Sequence, residues 1–389
     1  MLILSKPPLY LDNASTTAVA PAVLAEMIRI LDSRGHLYAN PSSVHALGLA
    51  ANDLVSEARE KVASLMGCES REVVFTSGAT EANNIALMAI AQTYGHKKRH
   101  IITSLTEHKS VLEPCKVLEQ QGFDVTYLKP DAEGRVGVLS VKNALRDDTL
   151  LVSLMYVNNE TGVIQPIDEL ADLLSDVGIL FHVDASQAVG KFKINLNELP
   201  VDLLSMSAHK FYGPKGIGCL IVKNRSRLRL KPIVHGGGQE FGLRSGTLPT
   251  HQIVGLSTAL NVSSSNQAQD YEHAVNLKSI FLKSLKIDLP ITVHSGLEFS
   301  SPYILNFSIE GVGSDALINQ LINEVAISSG SACSSGTVEP SYVLRAMGVD
   351  EKLLYGAVRV SFSRENTIQE VQEAAKCIAL AVQRIKEIN

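Results

Sequence analysis

Apolar residues recur along this chain in two rhythms. Leu47, Ala51, Leu54, Ala58, Val62 and Leu65 fall three and four residues apart, and Gly67 follows. That spacing predicts an amphipathic helix with a glycine stop. Short unbroken apolar runs then alternate with helical stretches: Val73–Phe75, His100–Thr103, Val125–Leu128, Leu150–Met155, Ile179–Val183 and Val201–Met206. Strands covered on both faces read this way, because neither face has to be polar. Ile217–Val222 predicts a further strand after a loop rich in Gly, Pro and Lys. The alternation implies a mainly parallel α/β sheet with helices on both faces.

The texture changes near residue 260. Ser263, Ser264, Ser265 and Asn266 read as a polar break, followed by helical patterns near 268–287 and 367–387 and short strands near 303–309 and 357–362. Thr367 and Glu370 form a capping box. The last helix then carries the stripe Ile368, Val371, Ala375, Ile378, Val382 and Ile385. The expected division is a large α/β domain over 16–260 and a smaller α+β domain built from 1–15 and 261–389.

Composition narrows the classes. Of 389 residues, 45% are hydrophobic and 19% charged, a globular balance long enough for two domains. The net charge of −5 gives no global basic field for nucleic acid. The five cysteines are odd in number and far apart, which argues against a disulfide framework and for a reducing compartment. Neither Cys-x-x-Cys nor His-Glu-x-x-His occurs, so an intrinsic metal site has no support. No apolar run is long enough to span a bilayer, and the N-terminus lacks a signal-peptide pattern. The expectation is a cytoplasmic protein with no membrane and no direct nucleic-acid contact.

Four motifs carry chemistry. Phe75-Thr-Ser-Gly-Ala79-Thr80-Glu runs from a strand through a small-residue turn into a helix. Free N–H groups there suit a phosphate, although an ordinary helix cap reads the same. His182-Val-Asp184-Ala-Ser-Gln187 ends a buried strand with an acid, where α/β sheets bind ligands; an N-cap would look similar. Ser207-Ala-His209-Lys210 puts a lysine at a strand end, where partial burial favours the neutral amine that Schiff-base chemistry needs. Together these three describe a site for pyridoxal 5'-phosphate, in which the acid keeps the ring nitrogen protonated. Ser328 to Gly336 is a run of small residues around Cys333, read as a mobile loop (about 328–338) carrying a nucleophilic thiol. Cys68, Cys115, Cys219 and Cys377 sit in apolar or helical settings and read as structural. Gly311-Val-Gly313 resembles a dinucleotide fingerprint but reads better as a turn.

Taken in order, these motifs resemble the cysteine desulfurases of the NifS/IscS class. The likeness extends to Tyr10–Thr17, Asn40–His45, Thr106–Val111, Val157–Gly162, His235–Gly238, Arg244–Thr247 and Glu339–Arg345. It implies a fold type I pyridoxal-phosphate enzyme that converts L-cysteine to L-alanine and leaves a persulfide on Cys333. It further implies that Lys210 anchors the cofactor, Asp184 pairs with the ring nitrogen, Gln187 bonds the ring hydroxyl and His108 stacks on the ring and moves protons. Ala79, Thr80, Ser207 and His209 would hold the phosphate, and Thr247 would reach the neighbouring subunit's phosphate in a homodimer. Asn159 and Arg359 would grip the substrate carboxylate. An acceptor protein, for iron–sulfur cluster assembly or nucleic-acid thiolation, would take the sulfur; Cys333 would touch a cluster only if a partner held one. Ser15 stands where the family often has Ala. The sequence continues to Asn389 without the C-terminal tail typical of IscS-type enzymes, which leaves the acceptor open. The alternatives are a selenocysteine lyase or aminotransferase on the same fold, or a non-enzymatic sulfur-carrier scaffold.

Overall fold

The computed structural model describes residues 7–294, 296, 298–329 and 340–388. A short strand β1 (Leu9–Tyr10) opens the chain. The large sheet comprises β2 (Val73–Thr76), β3 (His100–Ser104), β4 (Asp124–Leu128), β5 (Thr149–Met155), β6 (Leu180–Asp184), β7 (Leu203–Ser207) and β8 (Gly218–Val222), in the order β2-β8-β7-β6-β5-β3-β4. β3 to β7 are mutually parallel, whereas β8 runs antiparallel to both of its neighbours.

Successive strand residues feed two separate cores. Phe75, Ile102, Val152, Phe181 and Leu204 enter one cluster, and Val74, Ile101, Leu151 and Leu203 enter another. Both faces are therefore buried under helices, which is why the strands carry no polar alternation. The Ala46–Met66 helix ends at Gly67 in a left-handed cap. Its buried stripe runs through Ala51, Val55, Ala58, Val62 and Met66, while Leu47 is exposed, so the apolar face is rotated slightly from the sequence reading.

The expected polar break at 263–266 does not interrupt the chain. One helix runs from Thr250 to Asp288. Ser263 is buried there and donates its hydroxyl to the Phe211 carbonyl, so a polar residue serves as a packing contact. The far end of this helix contributes Leu277, Phe281 and Leu285 to a third core, shared with the Ile368–Ile388 helix. The capping box of that last helix is present in both directions, Thr367 N–H to Glu370 and Glu370 N–H to Thr367. A second sheet packs on this core: β9 (Ile291–Val293), β10 (Ile304–Ile309), β12 (Ser328–Ser329) and β13 (Ala357–Ser361), in the order β12-β13-β10-β9. β11 (Val325–Ala326) pairs in parallel with β1, which ties the start of the chain to this unit. β10 is antiparallel to both neighbours, so Gly311-Val-Gly313 follows no parallel strand and is a turn.

Candidate active site

The C-terminal ends of β2, β6 and β7 converge on one cavity of about 460 Å³. β2 ends at Thr76, and the helix Ala79–Tyr94 begins after the Ser77–Gly78 turn. Glu81 closes that turn: it accepts from the Ser77 N–H at 2.6 Å and pairs with Arg244 at 2.7 Å. Gly218 on β8 packs against the same turn. A Cβ there would lie 2.6 Å from the Gly78 Cα, so no side chain fits. The first N–H groups of the helix have no intrahelical acceptor and point at the cavity mouth, a natural anion seat. Thr80, Ser207 and His209 line the same space. The His209 Nδ1 is buried without a hydrogen-bond partner. Burial, helped by Lys210, Lys215 and Lys191, pushes this imidazole down to about 4.

Asp184 ends β6. One carboxylate oxygen accepts from the Ser186 N–H and hydroxyl, and the other accepts from Asn83 Nδ2 at 2.7 Å. Asn83 is fully buried and also donates to Ser110 Oγ at 2.8 Å. With that lone pair occupied, the Ser110 hydroxyl donates onward to His108 Nδ1, 2.8 Å away. The Ser110 N–H also points at Nδ1, because His108 is the N-cap of the Lys109–Gln120 helix. Nδ1 is thus an acceptor, and the neutral ring carries its proton on Nε2. Burial lowers the His108 pKa; Asp184 opposes this, and Lys210 and Lys109 reinforce it.

Lys210 follows β7 in a single 3-10 turn, and its Nζ donates to the carbonyls of Ala14 at 2.7 Å and Ser15 at 2.8 Å. Gln187 donates to the same Ala14 carbonyl at 2.8 Å, while its Oε1 accepts from Lys191 at 2.9 Å. On the opposite side, the Arg359 Nη2 reaches Asp12 and Ser15 Oγ, both at 2.7 Å, and Nη1 donates to the Asn159 carbonyl at 2.8 Å.

The cavity brings together Ala79, Thr80, His108, Asn159, Asp184, Gln187, Ser207, His209, Lys210 and Arg359. Thr247 does not line it; it is exposed, three residues beyond the Arg244 that holds Glu81. Cys333 and the segment 330–339 lie outside the described residues. The flanks of that segment are placed at the site. Ser328 is paired with Arg359 across β12 and β13, and Ser341 donates to Glu160, the neighbour of Asn159. Cys115 and Cys219 are buried, and burial pushes the thiols of Cys68 and Cys115 up to about 12, so neither supplies a thiolate near neutral pH.

These residues fit pyridoxal phosphate. An orphaned imidazole nitrogen, a helix start, a carboxylate held by three donors and a lysine side chain all line the one cavity. The Aminotransferase class-V family matches residues 9–373. The cysteine desulfurase IscS of Vibrio campbellii is 46% identical over 385 residues, covering 99% of this chain and 95% of that protein. The chain belongs to the cysteine desulfurases. It is a pyridoxal-phosphate-dependent enzyme, with the fold type I architecture that the sequence resemblance implies. Among solved structures, a NifS-like protein superposes with a TM-score of 0.91 at 37% identity, covering 97% of this chain and 100% of that one. SspA in complex with cysteine gives 0.82 at 36% identity, with 92% and 99% covered. Among the described residues, no helix is long and apolar enough to cross a membrane, and no cluster of three metal-ligating side chains occurs.

Sequence reasoning missed several residues of this desulfurase site. Asn83 lies two residues past the end of the Phe75–Glu81 motif and Ser110 inside the Thr106–Val111 segment, but nothing local tells a buried polar partner from a helix filler. Ser15 proves to be a junction, its hydroxyl on Arg359 and its carbonyl on Lys210. Lys191 shows no local signal beyond its spacing, four residues after Gln187.

Proposed function

We propose that this cysteine desulfurase acts on free L-cysteine through Lys210, His108, Arg359 and Cys333. The observation that carries the reading is the convergence of Lys210, Asp184, Thr80 and His209 on one cavity. Thr80, Ser207, His209 and the helix start would hold the cofactor phosphate, with Asp184 at the ring nitrogen and Gln187 at the ring oxygen. Bound there, pyridoxal phosphate supplies an electron-withdrawing ring that stabilises negative charge at the substrate Cα.

Arg359 and Asn159 orient the substrate carboxylate, which places the Cα hydrogen before the Lys210 amine. Lys210 Nζ takes that proton as general base. His108 faces the substrate side chain and carries a proton at Nε2. The Cys333 thiolate attacks the substrate sulfur. An S–S bond forms, the C–S bond breaks with its electron pair left on carbon, and Cβ takes a proton to give alanine. Cys333 is left as a persulfide, whose outer sulfur passes to an acceptor protein.

Two further elements belong to this reading. A homodimer is supported by the exposed position of Thr247 outside its own cavity and by Leu24, Ile28 and Leu31, an exposed apolar stripe on the Pro21–Leu31 helix. A division at about residue 260, with 1–15 in the smaller unit, is supported by the separate core that Leu11 shares with residues 277–385. A reducing cytoplasm suits the scattered cysteines.

The products decide between chemistries. Alanine and sulfide in equal amounts from cysteine and a reductant support the reading; 3-mercaptopyruvate points to transamination, and pyruvate with ammonia and sulfide to β-elimination. A purified protein that binds no cofactor would leave only a scaffold role.

A further inference from the structure

Lys191 has no part in the chemistry above, yet it is fully buried beside it. It lies four residues beyond Gln187, and its Nζ donates to Gln187 Oε1 at 2.9 Å. Around it lie the Tyr303 ring, 5.6 Å from Nζ to centroid, the charges of Lys210 and Arg359, and the uncharged His209 imidazole. A buried ammonium this close to two other cations is expensive, and burial pushes Lys191 down to about 7. Such a cost is expected where the group sets the geometry of something else.

We propose that Lys191 is a positioning residue that fixes the orientation of the Gln187 carboxamide in the cofactor pocket. A carboxamide rotated by 180° exchanges a donor for an acceptor with little change of shape. In its ammonium form Lys191 has donors only, and with the Ala14 carbonyl as acceptor on the other side of the amide one solution remains: Oε1 turned to Lys191 and the amide N–H groups turned away. The second half of the same amide donates to the Ala14 carbonyl, which Lys210 also holds. Lys191 therefore acts through Gln187 on the place where an anionic ring oxygen would sit beside Lys210. It presents that oxygen with a donor instead of a lone pair, and it adds a positive field at Lys210. Both effects favour the unprotonated nitrogen at position 210.

The inference rests on the proposed anchoring at Lys210, and the test separates the two. The cofactor-loaded wild-type protein, Lys191→Met and Lys191→Arg are titrated by visible absorbance, and cofactor release is followed after dilution. Lys191→Met should move the midpoint of the colour change upward by a pH unit or more and speed release at least several-fold. Lys191→Arg, which keeps a donor facing Oε1, should restore most of both. Gln187→Glu, tested in parallel, should also move the midpoint upward, because it faces the cavity with no donor. It serves as the deciding variant should Lys191→Met not fold. A folded Lys191→Met, or a Gln187→Glu, with the wild-type midpoint and release rate overturns the role of Lys191. A wild-type protein with no titrating band overturns the anchoring instead.

Discussion

Asn83 spends both amide hydrogens on the site, 2.7 Å from Asp184 Oδ2 and 2.8 Å from Ser110 Oγ. Asp184 and His108, on two sides of the cavity, are therefore linked through the buried Asn83 and Ser110 side chains. Neither partner is next to Asn83 in sequence; the link exists because the helix after β2 crosses the ends of β6 and the segment after β3.

Replacing Asn83 by Leu removes two donors from buried acceptors. Each lost partner costs about 1–3 kcal/mol. The variant should melt several degrees lower, and its visible cofactor spectrum should differ from wild type, because Asp184 is left with Ser186 alone. An unchanged melting curve and spectrum would show that the link carries no energy.

In the proposed reaction Arg359 would supply the charge for the substrate carboxylate. A hydrogen bond to a charged group contributes about 1.5–3 kcal/mol. Arg359→Ala should therefore raise KM for cysteine roughly 10- to 150-fold, while the protein retains its colour. Steady-state kinetics over a wide cysteine range checks this; an unaltered KM assigns the carboxylate to another group.

Cys333→Ala should remain yellow and bind cysteine, but lose persulfide formation and sulfide release. Labelling with a persulfide-selective reagent after addition of cysteine should mark the wild type alone. Full turnover by the variant would move the sulfur-accepting role elsewhere.

Glu160 gives a pH dependence of known sign. It is fully buried, accepts from Ser341, and burial pushes its carboxyl up to about 7. The unfolded chain releases this proton near its ordinary value of 4.5, but the native state keeps it. Stability from this group is thus present below pH 4.5 and lost as pH rises toward 7. Glu160→Gln, a neutral isostere, should lose little at pH 7 and 8 and compare worst with wild type near pH 5. The difference across that window is on the order of a few kcal/mol. Melting temperatures of both proteins at pH 5 and pH 8 test it; a pH-independent difference contradicts the shift.

The sheet was legible because burial on both faces leaves a plain signature: every residue of β2, β5, β7 and β8 is buried, and each reads as an apolar run. The 250–288 helix was not, since Ser263 looks like a loop residue until the Phe211 carbonyl that it serves is in view. Lys210, Asp184 and Thr80 were legible because each ends or follows a strand, where chemistry-bearing side chains emerge from the sheet. Asn83, Ser15 and Lys191 act through contacts made far along the chain or by an amide's orientation, and no local pattern encodes those. Ser15 illustrates the point: it reads as a minor exchange for Ala, but its hydroxyl bridges Asp12 and Arg359.

The attachment point of the cofactor is the claim on which the rest depends. Borohydride reduction of the yellow protein, followed by peptide mapping, fixes that attachment permanently and reads it directly. The pyridoxyl group should be found on Lys210, and the Lys210→Ala protein should take up none at that peptide and lose its neutral-pH visible band. A label on Lys191 or Lys215, with Lys210 unmodified, would contradict the account.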